Sequence, residues 1–223
     1  MSLNFIKKIK ESDALLTIRK NGFWFVDIPR TSSTSIKLQL GEKFGFTYSK
    51  NRIRNETLYK HGIFYDHINA SRMKKIMGDK LWDQTFTFSM VRNPWDRAIS
   101  IYNYIAAGKS SDDPMPTFKE HLLKMKEEFI GEGFGEKDLF KNGCFHYISE
   151  RNEIVVNKVI KYESREEGLR EVSEKIGFNI SPDIHHGKTQ ELKSYKKHYD
   201  SETKEIIELI YAKDIEQFGY SFD

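Results

Sequence analysis

Three short runs of apolar residues stand out against an otherwise mixed chain: Phe23 to Ile28, Phe86 to Val91, and Val155 to Tyr162, the last interrupted by Asn157 and Lys158. Runs of this length bounded by polar residues predict buried β-strands. Each is flanked by apolar positions at helical spacing. After the first run Ile36, Leu40 and Phe44 recur every four residues, which puts them on one face of a helix. The second run leads through Asn93 and Pro94 into Trp95, Ile99 and Tyr102, with Pro94 suited to the first helical turn. Further helices are expected at Ile68 to Met77, Phe118 to Phe129, Asp138 to Ser149, Glu166 to Ile176 and Ser201 to Phe218. Strands separated by helices pair in parallel, because the connection between parallel strands has to cross over the sheet. The expectation is an α/β layered fold whose ligand sits beyond the carboxyl ends of the strands.

Composition narrows the classes. At 223 residues, with 38% hydrophobic and 13% aromatic content, the chain has the material for one packed domain spanning residues 1–223. The 36 Lys and Arg nearly balance the 33 Asp and Glu, leaving a formal charge of +3 and no block of five like charges. A basic nucleic-acid tail is therefore unsupported, and no nucleic-acid partner is expected. No apolar run is long enough to span a bilayer, so no membrane anchor is expected. Met1 to Ile9 lacks the apolar stretch and small-residue cleavage site of a secretory signal. Together with the single cysteine, Cys144, which excludes an internal disulfide and a multi-cysteine zinc site and is read as a packing residue, this gives an expected cytoplasmic location.

Two strand-to-helix turns carry the candidate chemistry. The first, Asp27 to Ser35, holds Arg30 and the hydroxyls of Thr31, Ser32, Ser33, Thr34 and Ser35 at the point where helix N–H groups point outward. That arrangement suits a phosphate-like anion, whereas an N-cap alone would need one or two hydroxyls. No Walker A loop is present, which disfavours ordinary ATP or GTP hydrolysis. The second turn, Val91 to Ser100, presents Arg92 at a strand end and Ser100 two helical turns further on. A guanidinium fork with a hydroxyl suits a phosphate monoester, against the plainer alternative that Arg92 pairs with Asp96. Arg97 is assigned to structure. The Gly131, Gly133, Gly135 segment follows a helix rather than a strand, so it is read as a loop, a candidate substrate lid, and not as a dinucleotide fingerprint.

Taken together, Pro29 to Ser35 resembles the 5′-phosphosulfate loop, and Arg92 to Ser100 the 3′-phosphate motif, of sulfotransferases that use 3′-phosphoadenosine 5′-phosphosulfate (PAPS). The resemblance runs from about Gly22 to the C-terminus, includes Lys161-Tyr162-Glu163 and Asp214 to Tyr220, and is nearest to the carbohydrate-type branch. It implies a three-layer, P-loop NTPase-like α/β fold with a central parallel sheet flanked by helices. It also implies transfer of a sulfuryl group from PAPS to an acceptor hydroxyl or amine, on a saccharide or small metabolite, releasing 3′,5′-bisphosphoadenosine. On this resemblance Arg30, Thr31, Ser32, Ser33, Thr34 and Ser35 would cradle the phosphosulfate, and Arg92 and Ser100 would hold the 3′-phosphate. The chain departs from the family pattern at Arg30, usually lysine, and at Ser32 or Ser33, often glycine. Arginine keeps the charge but holds its proton too tightly for a general acid, so electrostatic stabilisation is its expected role.

An acceptor hydroxyl has to lose a proton, and a histidine or carboxylate is the usual base. His61, in Lys60-His61-Gly62, stands where similar enzymes carry a histidine near the acceptor and is the expected base, with His67, Asp66 and Glu56 as alternatives. Similar enzymes also close a late basic segment over the nucleotide, which points to Lys188 beside Gly187 as a 3′-phosphate contact. His185 and His186 lack spaced partners for a metal site, and no metal is expected. Trp24, Trp82 and Trp95 are read mostly as core. Acceptor contacts are expected from Lys109 to Glu136. Two other functions remain open at this point: a nucleotide-dependent kinase on the same layered fold, which would need a lysine and acidic magnesium ligands, and a non-catalytic module binding a nucleotide or a sulfated glycan.

Overall fold

The structure is a computed structural model that describes residues 13–43, 67–109, 114–135, 138–183 and 195–222. Helix α1 (Asp13–Asn21) leads into β1 (Phe23–Val26), which is followed by α2 (Ser33–Lys43), α3 (Ala70–Met77), α4 (Asp79–Asp83) and β2 (Phe86–Val91). Then come α5 (Pro94–Ala107), α6 (Phe118–Gly131), α7 (Cys144–Ile148) and a small hairpin, β3 (Ser149–Glu150) with β4 (Glu153–Ile154). Strand β5 (Lys158–Lys161), a 3₁₀ turn (Tyr162–Ser164), α8 (Arg165–Ile176), a second 3₁₀ turn (Tyr195–His198), α9 (Ser201–Ile210) and α10 (Ala212–Phe218) complete the order.

The sheet is parallel, as the strand and helix alternation predicts, in the order β1-β2-β5. Phe23 pairs with Phe86 and Val26 with Ser89, while Phe88 pairs with Lys158 and Val91 with Lys161. Alternate side chains of β1 divide between two cores, as the period of two requires. Trp24 and Val26 pack with Met73, Met77 and Trp82 of α3 and α4 and with Phe145 and Ile148 of α7. Phe23 and Phe25 face the other way, onto Ile36 and Leu40 of α2 and Leu169 and Val172 of α8. Helices thus cover both faces of the sheet. A third cluster, around Trp95, Leu122 and Ile207, joins α5, α6 and α9.

Most predicted elements appear near their expected bounds, and three differ for local reasons. The third strand begins at Lys158 rather than Val155: Asn157 N still donates to Thr87 O at 2.9 Å, but the Asn157 side chain takes the Thr87 N–H. Its Oδ1 accepts from Thr87 N at 2.7 Å and from Thr87 Oγ1 at 2.9 Å. The helix expected over Asp138 to Ser149 shrinks to α7, since the extended Gly143 opens it, leaving Asp214 to cap its first N–H groups. The long C-terminal helix breaks at Tyr211, whose ψ of 27° ends α9 before α10 starts. Short α1, α4 and the β3-β4 hairpin escaped the apolar spacing. Among the described residues no helix is long and apolar enough to cross a membrane.

Candidate functional site

The parallel register brings the two turns together. With Val26 beside Ser89, the chain leaving β1 runs on alongside the last residues of β2, so Pro29 and Arg30 arrive next to Arg92. Arg92 Nη1 donates to the main-chain oxygen of Arg30 at 3.2 Å. In return, Arg30 Nε donates to Ser100 Oγ at 3.1 Å, and its guanidinium lies 4.9 Å from the centre of the Tyr104 ring, one helical turn further along α5. Sequence reasoning passed over Tyr104, although its spacing of four from Ser100 put both on one helix face.

The first turn has the backbone of an anion cradle. Arg30 has φ +64° and Ser32 φ +69°, whereas Thr31 and Ser33 between and after them are not left-handed. Alternation of this kind turns successive N–H groups toward one point, the arrangement that holds anions in phosphate-binding loops. The five hydroxyls are not equivalent. Thr31 is fully buried and its Oγ1 donates to Ile28 O at 2.9 Å, so what it can offer an anion is its N–H. Ser33 and Ser35 are buried, and Ser32 and Thr34 are half-buried. The turn is braced from behind by Arg97, a buried side chain that donates to Pro29 O at 3.0 Å and Asn142 O at 2.9 Å. That is the structural role read for it from sequence.

Around the second turn, Arg92 makes the pair foreseen as the plain alternative: its Nε meets Asp96 Oδ2 at 2.7 Å. Its guanidinium also sits 4.6 Å from the centre of the Tyr162 ring, and Arg165 lies 5.0 Å from the same ring. Asn93 caps α5, accepting from Trp95 N at 3.1 Å, and donates to Ser221 O at 2.9 Å. Its own N–H is held by Glu163 Oε1 at 2.7 Å, while Glu163 Oε2 accepts from the Tyr220 hydroxyl. The C-terminal residues therefore buttress the arginine turn.

Electrostatically the site is a concentration of positive charge. Among the described residues no carboxylate pairs with Arg30; burial first, and the Arg92 charge next, lower its hold on its proton. Two guanidiniums meeting at one place, one of them without an acidic partner, leave a location suited to an anion. Cys144, by contrast, is fully buried, and burial pushes its thiol up to about 12, consistent with the packing role read for it and excluding it as a nucleophile.

Asp27 is a second residue that sequence reasoning missed. It follows β1, is 1% exposed, and meets Lys37 Nζ at 2.5 Å and His67 Nδ1 at 3.3 Å. The signal was present, since a charge between Val26 and Ile28 in an apolar run demands partners. Of the residues expected from sequence, Arg30, Thr31, Ser32, Ser33, Thr34, Ser35, Arg92, Ser100 and His67 fall in this region. His61, Glu56, Asp66, Lys188, His185 and His186 lie outside the described residues. In the segment expected to contact an acceptor, a cavity of about 550 Å³ is lined by Glu127, Glu132 and Phe134, with Lys141 paired to Glu128 and Asp138.

The family model for the sulfotransferase family matches residues 13–221, and the chain belongs to that family, whose chemistry is sulfuryl transfer. Among solved structures, a sulfotransferase from Alicyclobacillus acidocaldarius is similar over 93% of this chain and 93% of its own, at 16% identity and a TM-score of 0.33. No curated protein matches the chain.

Proposed function

We propose that the protein transfers the sulfuryl group of PAPS to a hydroxyl of a small metabolite or saccharide, releasing 3′,5′-bisphosphoadenosine. The observation that carries this reading is the contact between the two turns: Arg92 Nη1 on the Arg30 carbonyl, and Arg30 Nε on Ser100 Oγ. A donor with a phosphate at each end of its ribose needs two anion sites within one molecule's span. The Arg30 guanidinium, the N–H groups of residues 30–35, that of Thr31 included, and the hydroxyls of Ser32, Ser33, Thr34 and Ser35 would hold the phosphosulfate, and Arg92 with Ser100 the 3′-phosphate. Lys188 would add a contact to the same phosphate. Charge builds on the bridging oxygen as the S–O bond breaks, and fixed N–H dipoles with the Arg30 cation would stabilise it there without any proton transfer from arginine. Acceptor contacts are assigned to Lys109 to Glu136. We further propose a cytoplasmic enzyme acting without a metal.

The test is a thermal-shift comparison of 3′,5′-bisphosphoadenosine, ATP with magnesium, and GTP. Ligand at one hundred times its dissociation constant stabilises a protein by about 2.7 kcal/mol. A shift with the bisphosphate supports the proposal; a shift with ATP and magnesium but none with the bisphosphate overturns it in favour of a kinase. Bisphosphate binding without turnover of PAPS on any hydroxyl acceptor would leave a binding module.

A further inference from the structure

Sulfuryl transfer needs a group that removes the acceptor's proton, and the described structure holds one histidine built into the edge of the donor loop. His67 precedes α3 and adopts φ +56°, a left-handed conformation uncommon for a residue other than glycine. Its Nδ1 lies 3.2 Å from the Asp27 main-chain oxygen and 3.3 Å from Asp27 Oδ2. Both partners accept, so Nδ1 carries the hydrogen and the lone pair of the neutral ring falls on Nε2. Among the described residues nothing bonds to that Nε2. The side chain is 22% exposed, which leaves a path to solvent or substrate on one side.

Asp27 is placed to orient the ring. It is anchored by Lys37 of α2 on Oδ2, while Oδ1 is buried with no partner. Burial disfavours its charge, but Lys37 and then His67 outweigh that and hold the carboxyl well below the usual carboxylate range. From α7, Tyr147 also lies near it; burial first, and then charges including Asp27, raise that phenol. Among the described residues, Asp27 and Lys37 are the charged groups that bear on His67 directly. Along the chain Asp27 stands three residues before Arg30, so their Cα atoms lie at most about 11 Å apart. The dyad is therefore within one small molecule's reach of the phosphosulfate cradle.

We infer that His67, oriented by Asp27, is the base that takes the acceptor's proton, an assignment that rests on the proposed sulfuryl transfer. The acceptor oxygen forms its bond to sulfur as the S–O bond to the 5′-phosphate breaks. The electron pair leaves on that phosphate, and the hydroxyl proton passes to His67 Nε2 and later to water. Asp27 is a positioning residue: it fixes the tautomer and holds the ring in place through Nδ1. With Lys37 already balancing Asp27, the imidazolium adds one positive charge beside the departing anions, where it is favourable.

The test uses the full chain, 3′,5′-bisphosphoadenosine as binding probe, and release of the bisphosphate from PAPS with water or 4-nitrophenol as acceptor. His67→Gln is expected to bind the bisphosphate as the wild type does and to turn over on the order of 10² to 10⁴ times more slowly. The wild-type rate rises with pH to a plateau; the rise disappears in His67→Gln and moves to lower pH in Asp27→Asn. A His67→Gln variant with wild-type turnover, or with the same pH limb, overturns the inference, and loss of turnover in His61→Ala alone reassigns the base to His61. If the wild type binds the bisphosphate but turns over neither acceptor, diethylpyrocarbonate labelling of His67 decides. Protection by PAPS supports the assignment, and equal labelling with and without PAPS overturns it. A wild type that binds no bisphosphate instead removes the donor reading itself.

Discussion

Arg30 Nε donates to Ser100 Oγ at 3.1 Å, so a side chain from the hydroxyl-rich turn ends on the helix that follows the arginine turn. Arg92 closes the loop from the other side by donating to the Arg30 carbonyl at 3.2 Å. Neither contact is a salt bridge. Each is a charged donor on a neutral acceptor, a partnership that an incoming phosphate would outcompete, because its charged oxygens add ion–ion attraction and can take the guanidinium fork in two parallel bonds.

From this follows the first prediction. Arg92→Ala is expected to weaken 3′,5′-bisphosphoadenosine binding by roughly 1.5 to 3 kcal/mol, the range for hydrogen bonds to charged groups. Ser100→Ala should weaken it less, since one hydroxyl is lost and both guanidiniums remain. Isothermal calorimetry reads both, and unchanged affinity in Arg92→Ala would take that residue out of the pocket.

The second prediction concerns the turn itself. Ser32 holds φ +69°, a conformation that costs a residue with a Cβ about 1 to 2 kcal/mol and glycine almost nothing. Ser32→Gly should therefore stabilise the fold by up to about 1 kcal/mol once the greater freedom of the unfolded glycine chain is subtracted. Ser32→Val should do the reverse. Urea unfolding of the three proteins checks the order, and a destabilised Ser32→Gly would mean that the Ser32 hydroxyl carries more of the turn than its backbone does.

Much of this site was legible before the structure because it rests on local order. A hydroxyl-rich turn after one apolar run and an arginine after another locate both halves, and the parallel alternation implies that both open at the same edge of the sheet. What could not be read was the partner set. Lys37 meets Asp27 across a turn, His67 reaches it from forty residues away, and Glu163 grips Asn93 from β5's far end. Periodicity reports which face of an element is apolar; it does not report which element from elsewhere brings a charge to that face. The same limit explains the shortened α7, whose boundary depends on Asp214, a residue from the last helix.

That boundary supplies the third prediction. Asp214 accepts from Cys144 N at 2.6 Å and from Phe145 N at 2.8 Å, and a Cβ on Gly143 would stand 2.5 Å from Asp214 Oδ1. Asp214 is itself buried and cannot swing into solvent. Gly143→Ala is expected to destabilise the protein by about 1 to 3 kcal/mol, the usual cost of overpacking. The measurement is a denaturant midpoint, and bisphosphate binding should persist in the variant under native conditions because Gly143 lies behind the site. A midpoint equal to that of the wild type would show that α7 shifts freely against α10.

The Asp27 and His67 contact makes stability depend on pH with a sign that follows from two opposite shifts. Asp27 has its folded pKa depressed, so its contribution is complete above the ordinary carboxylate value near 4 and fades as pH falls below it. His67 is shifted up: burial pulls its pKa down, and the hydrogen bond and charge of Asp27 more than reverse that. Its contribution is complete below the ordinary histidine value of about 6.5 and fades as pH rises through the higher folded value. The two windows overlap at roughly pH 4.5 to 6. The difference in unfolding free energy between the wild type and His67→Gln should therefore be largest there, smaller toward pH 9 as the ring gives up its proton, and smaller toward pH 3 as the pH falls in the direction of the depressed Asp27 value. Urea unfolding at the three pH values reads the difference directly. A gap that does not change with pH would show that the two side chains touch without an ionic contribution, and that Asp27 would then hold the ring as a neutral hydrogen-bond acceptor.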